Sequence, residues 1–479
     1  MPQITKAQPQ LAFVPPRFNV WVLRLVAWVL PYWLTSRLKI VKIDVADIDR
    51  LVEVYKQSQM GRLRLILAFR HPSSDDSFCI GYLLTTLLPD AARKHRILLK
   101  TPVFAHFIYD SPKERLRQRG IPLWAGKIVS WLYPRLGGIP IHRRQSDSEG
   151  LRTARELLVN SRMPIAIAPE GAANGQSELV SPLESAAAQL GFGAMEDLIA
   201  AGKEEDVLIV PIGIQYYYVD EPWSQLEKTI AQLEQACGLA VDRYDTRVAI
   251  GQSDQRPMQK LLYDRFYRLS QYLLYQMENF YAQFYRYQIP ERPPESQTIS
   301  RTEISQRLQY LLDFALEVSE SYFNLQPKGN KIDRCRRIEQ AGWNWIYLEE
   351  LTIPTNLSPV SRRLADRIAS EADLRMWHMR IVESFIAVTD TYVKDRPTID
   401  RFAEITLLLW DLVAQIRGDE AAKRPQIGQR RVQMTICNPI PLSDYWDRYK
   451  SGRRHARQAT IDLTLELQTS MEGTLDRGW

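Results

Sequence analysis

The sequence predicts an α/β fold, a central mixed sheet flanked by helices, with an additional mainly α-helical C-terminal region. Between residues 41 and 256 short apolar runs alternate with longer amphipathic stretches, the pattern of a sheet layer covered by helices. Beyond residue 298 apolar residues recur at helical spacing instead, as in Leu308, Leu311, Leu312, Ala315 and Leu316 and again in Ile399, Phe402, Ile405, Leu409, Leu412 and Ile416. A chain of 479 residues with 45% hydrophobic and 25% charged residues is of ordinary globular composition and long enough for two or three domains.

Taken in order, residues 1–40 read as a membrane-interface segment. The run from Val20 to Leu34 is apolar and tryptophan-rich but broken by Arg24 and Pro31, and it is shorter than the roughly 20 residues a spanning helix needs. Tryptophan and tyrosine favour the head-group level of a bilayer, and Arg17, Arg24, Arg37 and Lys39 suit anionic lipids. The expectation is a helix lying in the interface of a membrane-associated protein on the cytoplasmic face. No small-x-small cleavage site follows the run, which argues against a cleaved signal peptide.

The α/β portion is expected to span 41–288. Strands are expected at 64–69, 96–100, 138–142, 164–168, 207–213 and 246–251, and helices near 76–88, 112–119, 147–160, 182–201 and 222–238. An aromatic-rich helix covers 257–288, a proline-rich linker 289–297, and a helical region 298–428. Residues 429–479 read as a strand and a helix at 457–472. The runs at 247–251 and 431–437 are similar strand exits, and either can supply the last strand of the sheet. If the second does, the helical region is an insertion and the chain folds back.

The net charge of +6 is unevenly placed, with 13 Lys/Arg against 4 Asp/Glu in residues 91–154. Such a patch attracts phosphates, anionic head groups or nucleic acid. Cys79, Cys237, Cys335 and Cys437 are far apart, so neither a zinc site nor a disulfide framework is indicated.

The chemistry concentrates at strand ends. The run Leu65–Phe69 delivers His71 into a Pro-Ser turn, and Asp76 follows five positions later. An imidazole with a pKa of roughly 6.5 can take a proton from a hydroxyl, provided a carboxylate holds its other nitrogen, as Asp76, or Asp75, can. Gly137-Gly138 leads a short strand to Arg143, whose planar fork suits phosphate. Pro169-Glu170-Gly171 ends the strand at 164–168, and Val210-Pro211-Ile212 lies in the strand at 207–213.

In this order the four stretches resemble the glycerolipid acyltransferase family, whose H-x4-D, G-x-x-x-x-R, P-E-G and proline-containing apolar boxes look like His71 to Asp76, Gly138 to Arg143, Pro169 to Gly171 and Val210 to Ile212. The resemblance covers residues 60–256. It implies transfer of a fatty acyl group from coenzyme A or acyl carrier protein to a hydroxyl of 1-acylglycerol 3-phosphate, with no metal or other cofactor. His71 is then the base, Asp76 its holder and Arg143 the phosphate ligand, with Gly138, Pro169, Glu170 and Gly171 shaping the acceptor pocket. Glycerol 3-phosphate or another lipid hydroxyl is the alternative acceptor. A catalytically idle membrane or partner-binding protein is the alternative of a different class.

Two departures bear on the acceptor. After Gly171 the chain continues Ala172-Ala173 where many members have Thr and Arg, and Pro140 and His142 are unusual in the arginine box. Arg144, or Lys113, Arg115, Arg117 and Arg119, can supply the missing charge. His106 and Asp110 form an H-x3-D decoy expected on a helix or loop. There is no G-x-S-x-G elbow, P-loop or G-x-G-x-x-G after a strand. Ser73 and Ser74 stay open as nucleophiles, and the partners expected are a membrane, a lipid acceptor and the acyl carrier, with no nucleic acid.

Overall fold

The computed structural model describes residues 5–10, 13–110, 123–141, 148–241, 256–290, 300–351, 358–387, 392–393, 396–419 and 423–475. The chain divides into an α/β unit, Phe13–Glu221 with Gly428–Trp479, and a helical unit, Met1–Ala12 with Pro222–Ile427.

The α/β unit opens with α1 (Val20–Ser36), β1 (Ile40–Ala46) and α2 (Ile48–Gln59). The strand β2 (Leu63–Phe69) leads into α3 (Asp76–Tyr82), a π-helical turn (Leu83–Leu87) and α4 (Leu88–Lys94). There follow β3 (His106–Asp110), α5 (Leu123–Arg135), β4 (Ile139–Ile141), α6 (Ser148–Asn160), β5 (Ile165–Ile167), α7 (Ala186–Ala200) and β6 (Asp206–Tyr218). After the helical unit come β7 (Arg430–Ile436), β8 (Ile440–Pro441), α8 (Ser443–Lys450) and α9 (Arg453–Glu472).

The sheet runs β1-β7-β6-β2-β5-β3-β4, with β8 also on β6. It is mixed: β6, β2, β5, β3 and β4 are mutually parallel, while β7 is antiparallel to β6 and parallel to β1. The run at 431–437 thus enters the sheet between β1 and β6, and the residues at 246–251 lie outside those described. The expected helix at 112–119 also lies outside them.

From Leu65 to Phe69 β2 reads as an unbroken apolar run because it is buried on both faces, while the buried Arg64 is paired with Glu205 at 2.7 Å. Leu63, Leu65, Leu67 and Phe69 join a core covered by α1 to α4, whereas Ile66 and Ala68 join another beneath α6, α7 and α9. β6 outruns β2. Its first half pairs with β2 up to Ile212 and with β8, and its second half, Ile212 to Tyr218, continues along β7. Pro211, which has no N–H to donate, sits where β6 changes from β8 to β7.

Two expectations fail near β3. Residues 96–100 form no strand, because the end of α4 turns through Arg96 at φ 57°, and both backbone groups of Lys100 are taken by the Gln59 side-chain amide at 2.6 and 2.7 Å. The strand forms instead at His106–Asp110, which was expected on a helix or loop. Its buried His106 ring is satisfied by the Gly137 carbonyl at 2.9 Å and the Ser161 hydroxyl at 3.3 Å, so a histidine is tolerated inside a sheet.

In the helical unit, Trp223–Ala236 and Arg256–Tyr285, placed with the sheet by the sequence reading, pack among the helices. Trp223 and Phe266 both contact the Phe402 ring of Ile399–Ile416, with centroids 6.0 and 5.6 Å away. Buried Arg265–Glu234 and Arg334–Glu320 pairs tie neighbouring helices at 2.6 and 2.8 Å. Aromatics of Arg256–Tyr285 reach the core: Tyr281 and Tyr285 bond the two ring nitrogens of buried His378, while Phe284 is exposed.

The turn after α9 closes on the sheet at Gly213, where an added Cβ would lie 2.3 Å from Oγ1 of buried Thr474. That hydroxyl is held by the Met471 carbonyl at 2.6 Å. Gly213→Ala is expected to lower stability by about 1–3 kcal/mol, and Thr474→Gly in the same chain, which removes both the Oγ1 and the Cβ that the new methyl would meet, to recover part of it, as read from urea midpoints.

Candidate active site

β2 ends at Phe69, and the chain turns through Pro72, Ser73 and Ser74 into the first turn of α3. That bend brings Asp76 back onto His71, whose Nδ1 lies 3.0 Å from Asp76 Oδ2. The same oxygen accepts the Ser73 N–H at 2.9 Å, and Oδ1 accepts the Tyr216 hydroxyl at 2.5 Å. The Asp76 side chain is fully buried and that of His71 is 14% exposed. Burial raises the Asp76 carboxyl above its ordinary range, and the contacts from His71, Tyr216 and Ser73 oppose that rise. With Nδ1 turned to Asp76, the other ring nitrogen, Nε2, is left for a further hydrogen-bond partner. Asp75 is engaged elsewhere, by Arg430 Nη2 at 2.6 Å. The Ser73 hydroxyl accepts the Asp75 N–H at 3.2 Å.

Glu170 lies on the other side of the histidine. Its Oε1 accepts the backbone N–H of His71 at 2.7 Å and sits 3.5 Å from Nε of fully buried Arg70. Its Oε2 accepts from Asn174 Nδ2 at 3.1 Å and the Ser181 N–H at 2.9 Å. The Glu170 carboxylate therefore faces the scaffold. Gly171 takes φ 79°, a conformation open to glycine, and closes the turn with its N–H on the Ala168 carbonyl at 3.1 Å. The loop then pairs with the histidine turn along the backbone, Asn174 N–H on the His71 carbonyl at 3.2 Å and Gly175 N–H on the Pro72 carbonyl at 3.1 Å.

Pro169 is buried. Gly138 is needed for close packing, since a Cβ there would come 2.7 Å from the Tyr109 ring and 2.9 Å from the Tyr133 carbonyl. Arg143, His142, Arg144, Lys113, Arg115, Arg117 and Arg119 lie outside the described residues.

The family model described as Acyltransferase matches residues 119–215, which run from before α5 into β6 and include Gly138, Pro169, Glu170 and Gly171. The chain carries an acyltransferase domain. His71 and Asp76 precede the matched stretch, and the loop of the acyltransferase domain that bears Glu170 holds the histidine turn. No curated protein and no solved structure matches the chain.

Sequence reasoning missed Arg70, Asn174, Tyr216 and Arg430. Arg70 had a signal, an arginine closing an apolar strand, where burial demands acceptors: it finds them in the Gln176, Ser177 and Leu179 carbonyls. Tyr216 and Arg430 carry no local signal, because their partners lie far away in the chain.

Removing one member of a buried charge pair costs about 3–5 kcal/mol. Glu170→Gln in the acyltransferase domain is expected to fall in that range, since it leaves Arg70 without a countercharge and turns an amide toward donors. Thermal unfolding of the variant checks it.

Proposed function

We propose that this protein moves a fatty acyl group from an acyl thioester, of coenzyme A or acyl carrier protein, to the hydroxyl of 1-acylglycerol 3-phosphate at a membrane surface. The observation that carries the reading is the His71–Asp76 pair at the end of a buried strand, backbone-paired to the Pro169-Glu170-Gly171 loop of an acyltransferase domain.

His71 Nε2 takes the proton of the acceptor hydroxyl as its oxygen bonds to the thioester carbonyl carbon. Asp76 meets the imidazolium that forms. When the tetrahedral species collapses, the C–S bond breaks and the thiolate leaves, taking the proton back from His71. The products are an ester and a free thiol, and the base returns to its starting state. Glu170 acts as a positioning residue for the His71 backbone. Arg143, carried over from the resemblance, is the proposed phosphate ligand.

Attachment is proposed through one aromatic face. Trp21, Leu25, Trp28 and Tyr32 of α1 are exposed, Trp28 by 80%. Ile128 and Trp131 of α5 are exposed as well, and the two helices are joined by the Arg17 N–H on the Pro134 carbonyl at 2.7 Å and the Asn19 N–H on the Arg135 carbonyl at 2.8 Å. Arg24 stacks on Trp21 at 4.8 Å and Arg135 on Trp131 at 4.3 Å, which sets cations beside the rings as an anionic interface requires. No described helix is long and apolar enough to cross a membrane.

General-base catalysis contributes about 100- to 10,000-fold, so His71→Ala is expected to lose about 1,000-fold in thiol release from a long-chain acyl thioester with lysophosphatidate. Equal rates in the two proteins would sink the proposal, and a faster rate with glycerol 3-phosphate would reassign the acceptor. In flotation with anionic liposomes, Trp28→Ala combined with Trp131→Ala is expected to bind about tenfold more weakly. Unchanged flotation removes this face from the attachment.

A further inference from the structure

Of the three hydrogen bonds that Asp76 accepts, one is the base pair and one comes from the local turn. The third arrives from Tyr216, 140 positions away. A tyrosine buried in a sheet costs desolvation that a phenylalanine would avoid, unless its hydroxyl has a task. Here the hydroxyl lies 2.5 Å from Asp76 Oδ1 and 3.6 Å from Cys79 Sγ of α3. The ring carries the Arg430 guanidinium at 5.0 Å from its centroid, and Arg430 also binds Asp75 at 2.6 Å and the Leu38 carbonyl at 3.1 Å.

We propose that Tyr216, braced by Arg430, is a positioning residue for the general base: its hydroxyl keeps the Asp76 carboxylate ionised and turned toward His71 Nδ1. The inference rests on the reading of His71 as base.

Burial by itself favours the neutral acid, and a neutral Asp76 neither fixes the imidazole tautomer nor meets the imidazolium. A donor at Oδ1 counters this and leaves Oδ2 for His71. Tyr216 remains a donor throughout the working pH range, because burial, with the nearby Asp76 charge, raises its pKa well above the ordinary value. Among the described residues, the other charged or titratable groups around the network are Asp75 and Arg430, which form an ion pair, Tyr218 near Arg430, the buried Cys79 thiol, and Glu170 with Arg70 on the far side of His71. Arg430 opens β7, so the base is completed by a strand that follows the whole helical unit in the chain, outside the stretch matched by the family model.

The test uses the full-length protein with Tyr216→Phe, which keeps the ring and the Arg430 stack, and Tyr217→Phe as the control. Two readouts are taken: kcat and KM for thiol release, and the low-field proton resonance of His71 Nδ1–H in histidine-labelled protein, assigned by its loss in His71→Ala. Tyr216→Phe is expected to lower kcat about 10- to 100-fold, the scale of a hydrogen bond to a charged group, with KM within about twofold and the resonance moved or broadened. Arg430→Gln is expected to move the same resonance in part, and Tyr217→Phe to leave both readouts alone. Wild-type kcat together with an unmoved resonance in Tyr216→Phe overturns the proposal. If the wild-type protein shows no turnover with thioesters, the reading of the function fails, and the resonance alone still decides whether Tyr216 positions Asp76.

Discussion

A carboxylate closed off from water has to receive its donors from the protein around it, and His71 is held between two such groups. Asp76 grips the ring at Nδ1 and draws further donors from the Ser73 backbone and from Tyr216. Glu170 grips the backbone N–H of the same residue and draws on Arg70, Asn174 and Ser181. Side chain and main chain are thus fixed independently, by segments from the turn after β2, the Pro-Glu-Gly loop and the far end of β6. Each donor is needed because an unpaired buried charge costs several kcal/mol, roughly the margin by which a domain is stable.

The sheet makes this possible through a mismatch of lengths. β2 stops at Phe69 and releases the histidine turn, while β6 runs on to Tyr218 and carries Tyr216 past that edge. Past Ile212 this half-strand has left β2 behind, and the returning β7 pairs with its other side. The strand that shields β6 also delivers Arg430 to Asp75 and to the Tyr216 ring. Packing and chemistry are met by one element.

Much was legible where the deciding physics is local. β2 was visible because a strand buried on both faces is apolar along most of its length, as from Leu65 to Phe69, and α1 because its tryptophans share one short apolar run with Arg24. The pairing of His71 with Asp76 followed from a turn of proline, serines and aspartate between them. Legibility failed where side chains replaced backbone or partners were distant. Residues 96–100 look like a strand, yet Gln59 satisfies Lys100 in a strand's place. His106 looks out of place in a sheet, yet Gly137 and Ser161 satisfy it. The helices at 223–236 and 256–285 continue the α/β alternation in sequence but bury their apolar faces against Phe402.

The sequence by itself determined an α/β sheet with a helical region, the order of the strand-end motifs and the pairing of His71 with Asp76, because each depends on residues a few positions apart. Only the tertiary structure decided that the chain returns to the sheet after the helical unit, that Glu170 faces the scaffold, and that Tyr216 completes the shell of Asp76. Those outcomes depend on strand lengths and register across separations such as the 355 positions between Asp75 and Arg430. No local pattern encodes them, since a buried charge records only that it needs partners and not where in the chain they lie.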